Sequence, residues 1–320
     1  MTSQYANNEP RPVMTVWGPL PHDRLGITDA HNHVWIEPVP GAGPDAPVLN
    51  QFDLILKELV EYREFGGATL LDCQPGGSGR NGNKLLALSE ESGVNLIACT
   101  GFHRKKYYPE NYWLWEAGAQ KVSDFLCSEL EVGLDETLET ASPVRAGFIK
   151  IALETVWKSC PQAALEGAAS AAYKTKALLL IHTERGALAE KACVYFSDMG
   201  IPPHQLVFCH MDKRPDPSLH KELANIGVLL EYDVFYRPKY EPTTNLWPLI
   251  EQMVSAGFSS SLAFATDMAE ANLYHFIGDG PGLKSLPGEI HEKIRDLGYT
   301  EIAQKQMLGG NITRRLAGII

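Results

Sequence analysis

Eight short apolar runs rich in β-branched and aromatic residues punctuate the chain, at 26–34, 68–74, 95–102, 146–153, 177–182, 205–210, 228–233 and 261–266. Longer stretches with helical spacing separate them, such as Phe52, Ile55, Leu56 and Leu59, or Val122, Phe125, Leu126 and Leu130; the alanine-rich segment 162–173 is a further helix. Strands that are apolar on both faces and alternate with helices belong in a parallel sheet covered by helices. They close most simply into an α/β (β/α)8 barrel, the TIM barrel, although a doubly wound open sheet uses the same alternation. The 320 residues fit one such barrel, about 250 residues plus extensions, as a single domain. Residues 1–25 read as a lead-in, and the region after Gly278 as a long eighth loop followed by closing helices.

Charge and composition narrow the function. A formal net charge of -11 repels phosphate backbones and no Lys/Arg run forms a track, so nucleic acid is excluded as a partner. No stretch reaches the roughly 18 apolar residues of a membrane span, and the polar residues 1–11 lack the apolar core of a signal peptide. The expectation is a cytoplasmic protein with a small-molecule substrate, no membrane partner, and a homodimer left open. Cys73, Cys99, Cys127, Cys160, Cys193 and Cys209 include no C-x-x-C pair and read as reduced, structural thiols.

The period of the apolar runs cannot separate barrel from open sheet, but the polar residues at their ends can. The first run carries Asp29-Ala30-His31-Asn32-His33, whose histidines, two apart on a strand, share a face and can hold one metal. Alone, such a pair is equally compatible with hydrogen-bonded core histidines. The fourth run places Lys150 between Ile149 and Ile151, where an unpaired ammonium would cost several kcal/mol. A buried salt bridge, a Schiff-base lysine and a carbamate bridging two metals each answer that cost. The fifth and sixth runs end in His182 and His210, and Asp267 follows the eighth. Six ligand-type groups therefore converge on the carboxyl ends of strands, where barrels of this kind keep their active sites.

This ordered set, His-x-His, Lys, His, His and Asp on strands one, four, five, six and eight, resembles the phosphotriesterase-related family of the amidohydrolase superfamily from about Gly26 to the end. The resemblance implies two divalent metals, zinc or alternatively manganese or cobalt. His31, His33 and Asp267 would hold the more buried one, His182 and His210 the more exposed one, and carboxylated Lys150 would bridge them. It also implies hydrolysis by hydroxide made available at neutral pH, with Asp267 and Lys150 as the catalytic side chains. The segments 210–216 and 278–283 resemble the branch that opens sugar lactones, so a sugar or aldonic lactone is the expected substrate, with phosphotriesters or other esters as the alternative.

Loops after the strands carry basic residues despite the acidic total: His103 with Arg104, Lys105 and Lys106, then Lys213 with Arg214, then Arg237 and Lys239. We expect His103, Lys213, Arg214, Lys239 and Glu270 to line the substrate mouth, although solvated surface charge is an equal reading of the basic loops. Glu270 stands where relatives acting on phosphorylated lactones carry a base, which favours an unphosphorylated substrate. The Gly-Pro-Gly at 280–282 reads as a turn rather than an anion-binding nest. Two competing classes are a barrel that binds without turnover, which would have lost a ligand, and a lyase using Lys150 as a Schiff base, which has no use for four histidines.

Overall fold

A computed structural model describes residues 10–320 of the protein, so the first nine residues of the expected lead-in lie outside the described residues. The rest of the lead-in forms an antiparallel hairpin that the sequence reading did not anticipate, β1 (Val13–Thr15) with β2 (Gly18–Leu20). Eight parallel strands follow: β3 (Ile27–Asn32), β4 (Gly67–Asp72), β5 (Asn95–Gly101), β6 (Phe148–Ala152), β7 (Leu179–His182), β8 (Leu206–Cys209), β9 (Leu229–Tyr232) and β10 (Leu262–Phe264). Each pairs with its sequence neighbour. Helices α1 (Phe52–Glu64), α2 (Gly82–Ser92), α3 (Ala119–Glu131), α4 (Gln162–Thr175), α5 (Ala189–Asp198), α6 (Pro217–Asn225) and α7 (Leu246–Ser255) connect them. The chain ends in short helices α8 (His275–Gly278), α9 (His291–Asp296), α10 (Glu301–Lys305) and α11 (Asn311–Leu316).

The seam between the first and last strands is closed by Asp29, with Asn32 Nδ2 also donating across it to Thr266 Oγ1 at 2.7 Å. Asp29 Oδ1 accepts from Thr266 N at 3.2 Å and His31 N at 3.1 Å, and its Oδ2 accepts from Thr266 Oγ1 at 2.6 Å and Asn32 Nδ2 at 3.0 Å. The backbone of Asp267 donates to His31 O at 2.9 Å just above, so the two ends of the sheet meet where the polar residues begin. Burial pushes the Asp29 carboxyl up to about 7 against these hydrogen bonds.

The strand period of two sorts the interior into layers. Phe148, Leu180, Val207, Leu229 and Ala263 form an apolar plug with Val13 of the hairpin and Ile312 and Leu316 of α11. Two residues further along the same strands stand Lys150, His182, Cys209, Glu231 and Ala265, and after them Asp233 and Asp267. The second apolar layer lies between strands and helices, with Ile55, Leu59, Leu126 and Leu165 fully buried. The alanines of α4 let it lie close against α3, where a Cβ on Gly167 would come within 2.6 Å of Val122 Cβ.

The six cysteines are free, as expected. No described helix is long and apolar enough to cross a membrane. The Gly-Pro-Gly segment is the anticipated turn, pinned to α1 by buried Glu58, which accepts from Phe276 N and, at 3.3 Å, from Leu283 N.

The close fit of β5 against β6 yields a prediction. Gly101 has φ +121° and an added Cβ would fall 1.8 Å from the carbonyl oxygen of Lys150. Gly101→Ala should destabilise the fold by about 3 kcal/mol or more and dislodge Lys150, measured by chemical denaturation. A variant of wild-type stability would show that the two strands are not packed this closely.

Candidate metal centre

Parallel strands deliver the six predicted residues to one end of the barrel. His31 and Lys150 come from strand interiors, His182 ends β7, and His33, His210 and Asp267 sit just beyond strand ends. His210 (φ 64°) and Asp267 (φ 43°) adopt the left-handed backbone, unusual for non-glycine residues and worth about 1–3 kcal/mol of local strain.

Each histidine is held by its outer nitrogen. His31 Nδ1 donates to Glu231 Oε2 at 2.8 Å, His33 Nδ1 to Gln74 Oε1 at 2.7 Å, His182 Nε2 to Glu184 Oε1 at 3.0 Å, and His210 Nδ1 to Asp233 Oδ2. The partners assign the tautomers, because a carboxylate or amide oxygen can only accept. Burial lowers the pKa of His31 and His210 and takes that of His182 to about 3, so these rings are neutral at pH 7.

The inner nitrogens are therefore lone pairs, and they converge. His182 Nδ1 and His210 Nε2 are 2.8 Å apart, while His31 Nε2 and His33 Nε2 are each 3.6 Å from Asp267 Oδ1. Two inner nitrogens that both present lone pairs, as His182 and His210 do, repel in a buried site unless a cation lies between them. Two ligands of a tetrahedral cation bound at about 2.1 Å stand about 3.4 Å apart, close to the 3.6 Å spacings. The donor set of imidazole nitrogen and carboxylate oxygen fits a divalent metal. The buried triad His31, His210 and Asp267 offers ligand atoms all within 4.8 Å of one another.

Lys150 is fully buried, and its Nζ hydrogen-bonds His31 Nε2 at 2.9 Å. Among the described residues no carboxylate lies within 4.0 Å of it, which removes the simple buried salt bridge from its explanations.

A cavity of about 210 Å³ opens above the centre. His103, Lys213, Lys239 and Glu270 line it as expected, but Arg214 does not; its side chain points to Glu190 at 3.0 Å, 39% exposed. Lys213 is committed inward, 3.5 Å from Asp233 Oδ1 and 3.7 Å from Asp267 Oδ2, and Arg237 pairs with Asp267 Oδ2 at 3.2 Å and Glu270 at 3.1 Å. Sequence reasoning missed Glu231, Asp233, Gln74 and Glu184, the residues that orient the imidazoles. Glu231-Tyr232-Asp233 did carry a signal, two acids two apart in an apolar run, the same spacing as His31 and His33.

Residues 11–316 match the Phosphotriesterase family. The chain belongs to it. This family is metal-dependent, and the protein is a hydrolase. A relative called phospho-furanose lactonase, from Mycoplasmopsis synoviae, is 29% identical over 271 residues, 79% of this chain and 75% of that protein. The structure of an amidohydrolase from Mycoplasma synoviae superposes with a TM-score of 0.87 at 27% identity, covering 97% of this chain and 92% of that one. A lactonase from Listeria monocytogenes has the same fold, with a TM-score of 0.87 at 23% identity over 95% of this chain and 98% of that one.

The imidazole-orienting carboxylates give the centre's own prediction. Asp233→Asn should weaken metal binding about 10–100-fold in competition with a chelator, since an amide can present its NH2 to His210 and turn the inner nitrogen into a donor. Unchanged affinity would mean that Asp233 does not set the His210 tautomer.

Proposed function

We propose that the protein opens a sugar or aldonic acid lactone at a binuclear metal centre. The observation that carries this reading is the gathering of four imidazoles and one carboxylate, His31 Nε2 and His33 Nε2 each 3.6 Å from Asp267 Oδ1 and His182 Nδ1 2.8 Å from His210 Nε2, beside a buried Lys150 amine with no carboxylate partner. The lactonase relatives support the substrate class.

His31, His33 and Asp267 would hold one cation and His182 and His210 the other, zinc or alternatively manganese or cobalt. Carboxylation would resolve the position of Lys150. The ammonium first gives up one proton, and the free amine nitrogen then bonds the carbon of CO2 and releases a second, which would convert a costly buried cation into an anion able to bridge the two ligand groups. When bound, the cations supply Lewis acidity that brings a water toward neutral pKa and polarises the substrate carbonyl.

The side chains perform the rest. Asp267 takes the proton of the attacking water and returns it to the ring oxygen as the acyl–oxygen bond breaks. Arg237 and Lys213, both beside its Oδ2, favour the ionised form that can accept the proton. At the mouth, Glu184, Glu270, Tyr107 and Tyr240 line the cavity together with Arg185, Arg237 and Lys239, a mixed polar lining that suits a polyhydroxylated or anionic substrate.

A screen of sugar and aldonic lactones against phosphotriesters and aryl esters, with zinc-loaded protein, tests the reading. Lactones should give the highest kcat/KM, and a preference for phosphotriesters would replace it. Asp267→Asn should lower kcat by a few orders of magnitude with the fold intact, and near wild-type turnover would assign proton transfer elsewhere. Lys150→Ala should lose metal and activity together and regain part of both with added acetate or propionate, whereas Lys150→Arg should not, because guanidinium stays protonated. An unmodified Lys150 amine in a fully metallated, active crystal would refute the carbamate.

A further inference from the structure

Five histidines surround the cavity and its floor, and only four have the polarity of ligands. His103, in the loop after β5, has the opposite one. Its Nδ1 accepts the backbone N–H of Arg104 at 2.7 Å. A nitrogen that accepts from a backbone amide carries no hydrogen, so the neutral ring bears its proton on Nε2. That N–H has no hydrogen-bond partner among the described residues, while the ring lines the cavity and is 9% exposed. With one nitrogen occupied by Arg104 and the other protonated, His103 cannot serve as a fifth imidazole ligand.

The ring is also held in place. Its backbone N–H donates to the hydroxyl of buried Tyr108 at 2.9 Å, and its faces and edges meet Tyr107 at a centroid distance of 4.6 Å and His182 at 4.8 Å. The ring thus stands beside His182, at the end of β7, while Asp267 serves the attacking water and the leaving oxygen.

We propose that His103 is a catalytic residue, a fixed hydrogen-bond donor to the carbonyl oxygen of the substrate. This rests on the lactonase reading. As water adds, the carbonyl π-electrons move onto oxygen, and the Nε2–H of His103 meets that growing charge without transferring its proton. A donor already oriented in a site shielded from water need not reorganise during the reaction, and removing one such donor elsewhere costs about 100–1,000-fold in kcat. Four imidazoles presenting lone pairs and a fifth presenting a hydrogen thus divide the work between holding cations and stabilising an oxyanion.

The test compares His103→Phe, which keeps the ring and loses the N–H, with His103→Gln, whose amide restores a donor. The lactone found most active in the substrate screen is used, with metal content measured on each protein. The phenylalanine variant should keep wild-type metal and a KM within a few-fold but lose about 100-fold in kcat, and the glutamine variant should recover part of the loss. Wild-type kcat in the phenylalanine variant, or equal losses in both, overturns the proposal while leaving the lactonase reading intact; a wild-type enzyme inactive on every lactone fails the reading itself. Should His103→Phe lose metal or fold poorly, nitrogen-15 NMR of histidine-labelled, zinc-loaded wild-type protein decides. The expected result is an Nε2–H tautomer at His103 whose proton moves downfield on adding 2-pyrrolidinone, an unreactive lactam with a carbonyl oxygen. An Nδ1–H tautomer, or a proton that does not respond to bound lactam, overturns it.

Discussion

His182 and His210 point ring lone pairs at each other, and His31 and His33 point theirs at the Asp267 carboxylate, an arrangement that a bound cation would relieve. Each ring is oriented from behind by an acceptor, Glu231, Gln74, Glu184 or Asp233, so none can relieve the repulsion by turning or changing tautomer without losing a buried hydrogen bond. The geometry thereby favours a bound cation, and much of the surrounding design serves to hold this set in place. The left-handed turns at His210 and Asp267, the close contact of Gly101 with Lys150, and the Asp29 staple at the barrel seam all fix the positions from which the ligands project.

β9 occupies a particular place in this arrangement. It contributes no ligand of the expected set, yet Glu231 and Asp233, two residues apart on one face, orient His31 and His210, which belong to the two proposed ligand groups. One strand thus couples both halves of the centre, and a shift in its register would misorient both.

The barrel and the meeting of the six candidate ligand residues at one end of it were legible in the sequence because each depends on local pattern: apolar runs of strand length, and ligand-type residues at their carboxyl ends. The N-terminal hairpin was not, since three-residue strands carry too little period to register, and their pairing depends on docking beneath the barrel. The residues behind the histidines were hard to see for a related reason. Gln74 and Glu184 lie in loops, and which ring nitrogen they meet follows only from the closed geometry. Arg214 shows the reverse error, a basic residue next to cavity-lining Lys213 whose side chain the chain turns outward to Glu190. Lys213, its neighbour, is drawn inward by Asp233 and Asp267. Sequence adjacency gives the loop, and backbone direction at each residue decides which charges reach the substrate.

The proposed chemistry depends on cations seated among those lone pairs. Elemental analysis of protein produced with zinc, combined with anomalous scattering from its crystals, would count and place them in one determination. The expected result is two cations per chain, one touching His31, His33 and Asp267 and the other touching His182 and His210. Active protein with no cation, or with a cation that leaves the His182 and His210 nitrogens still facing each other unligated, would contradict it.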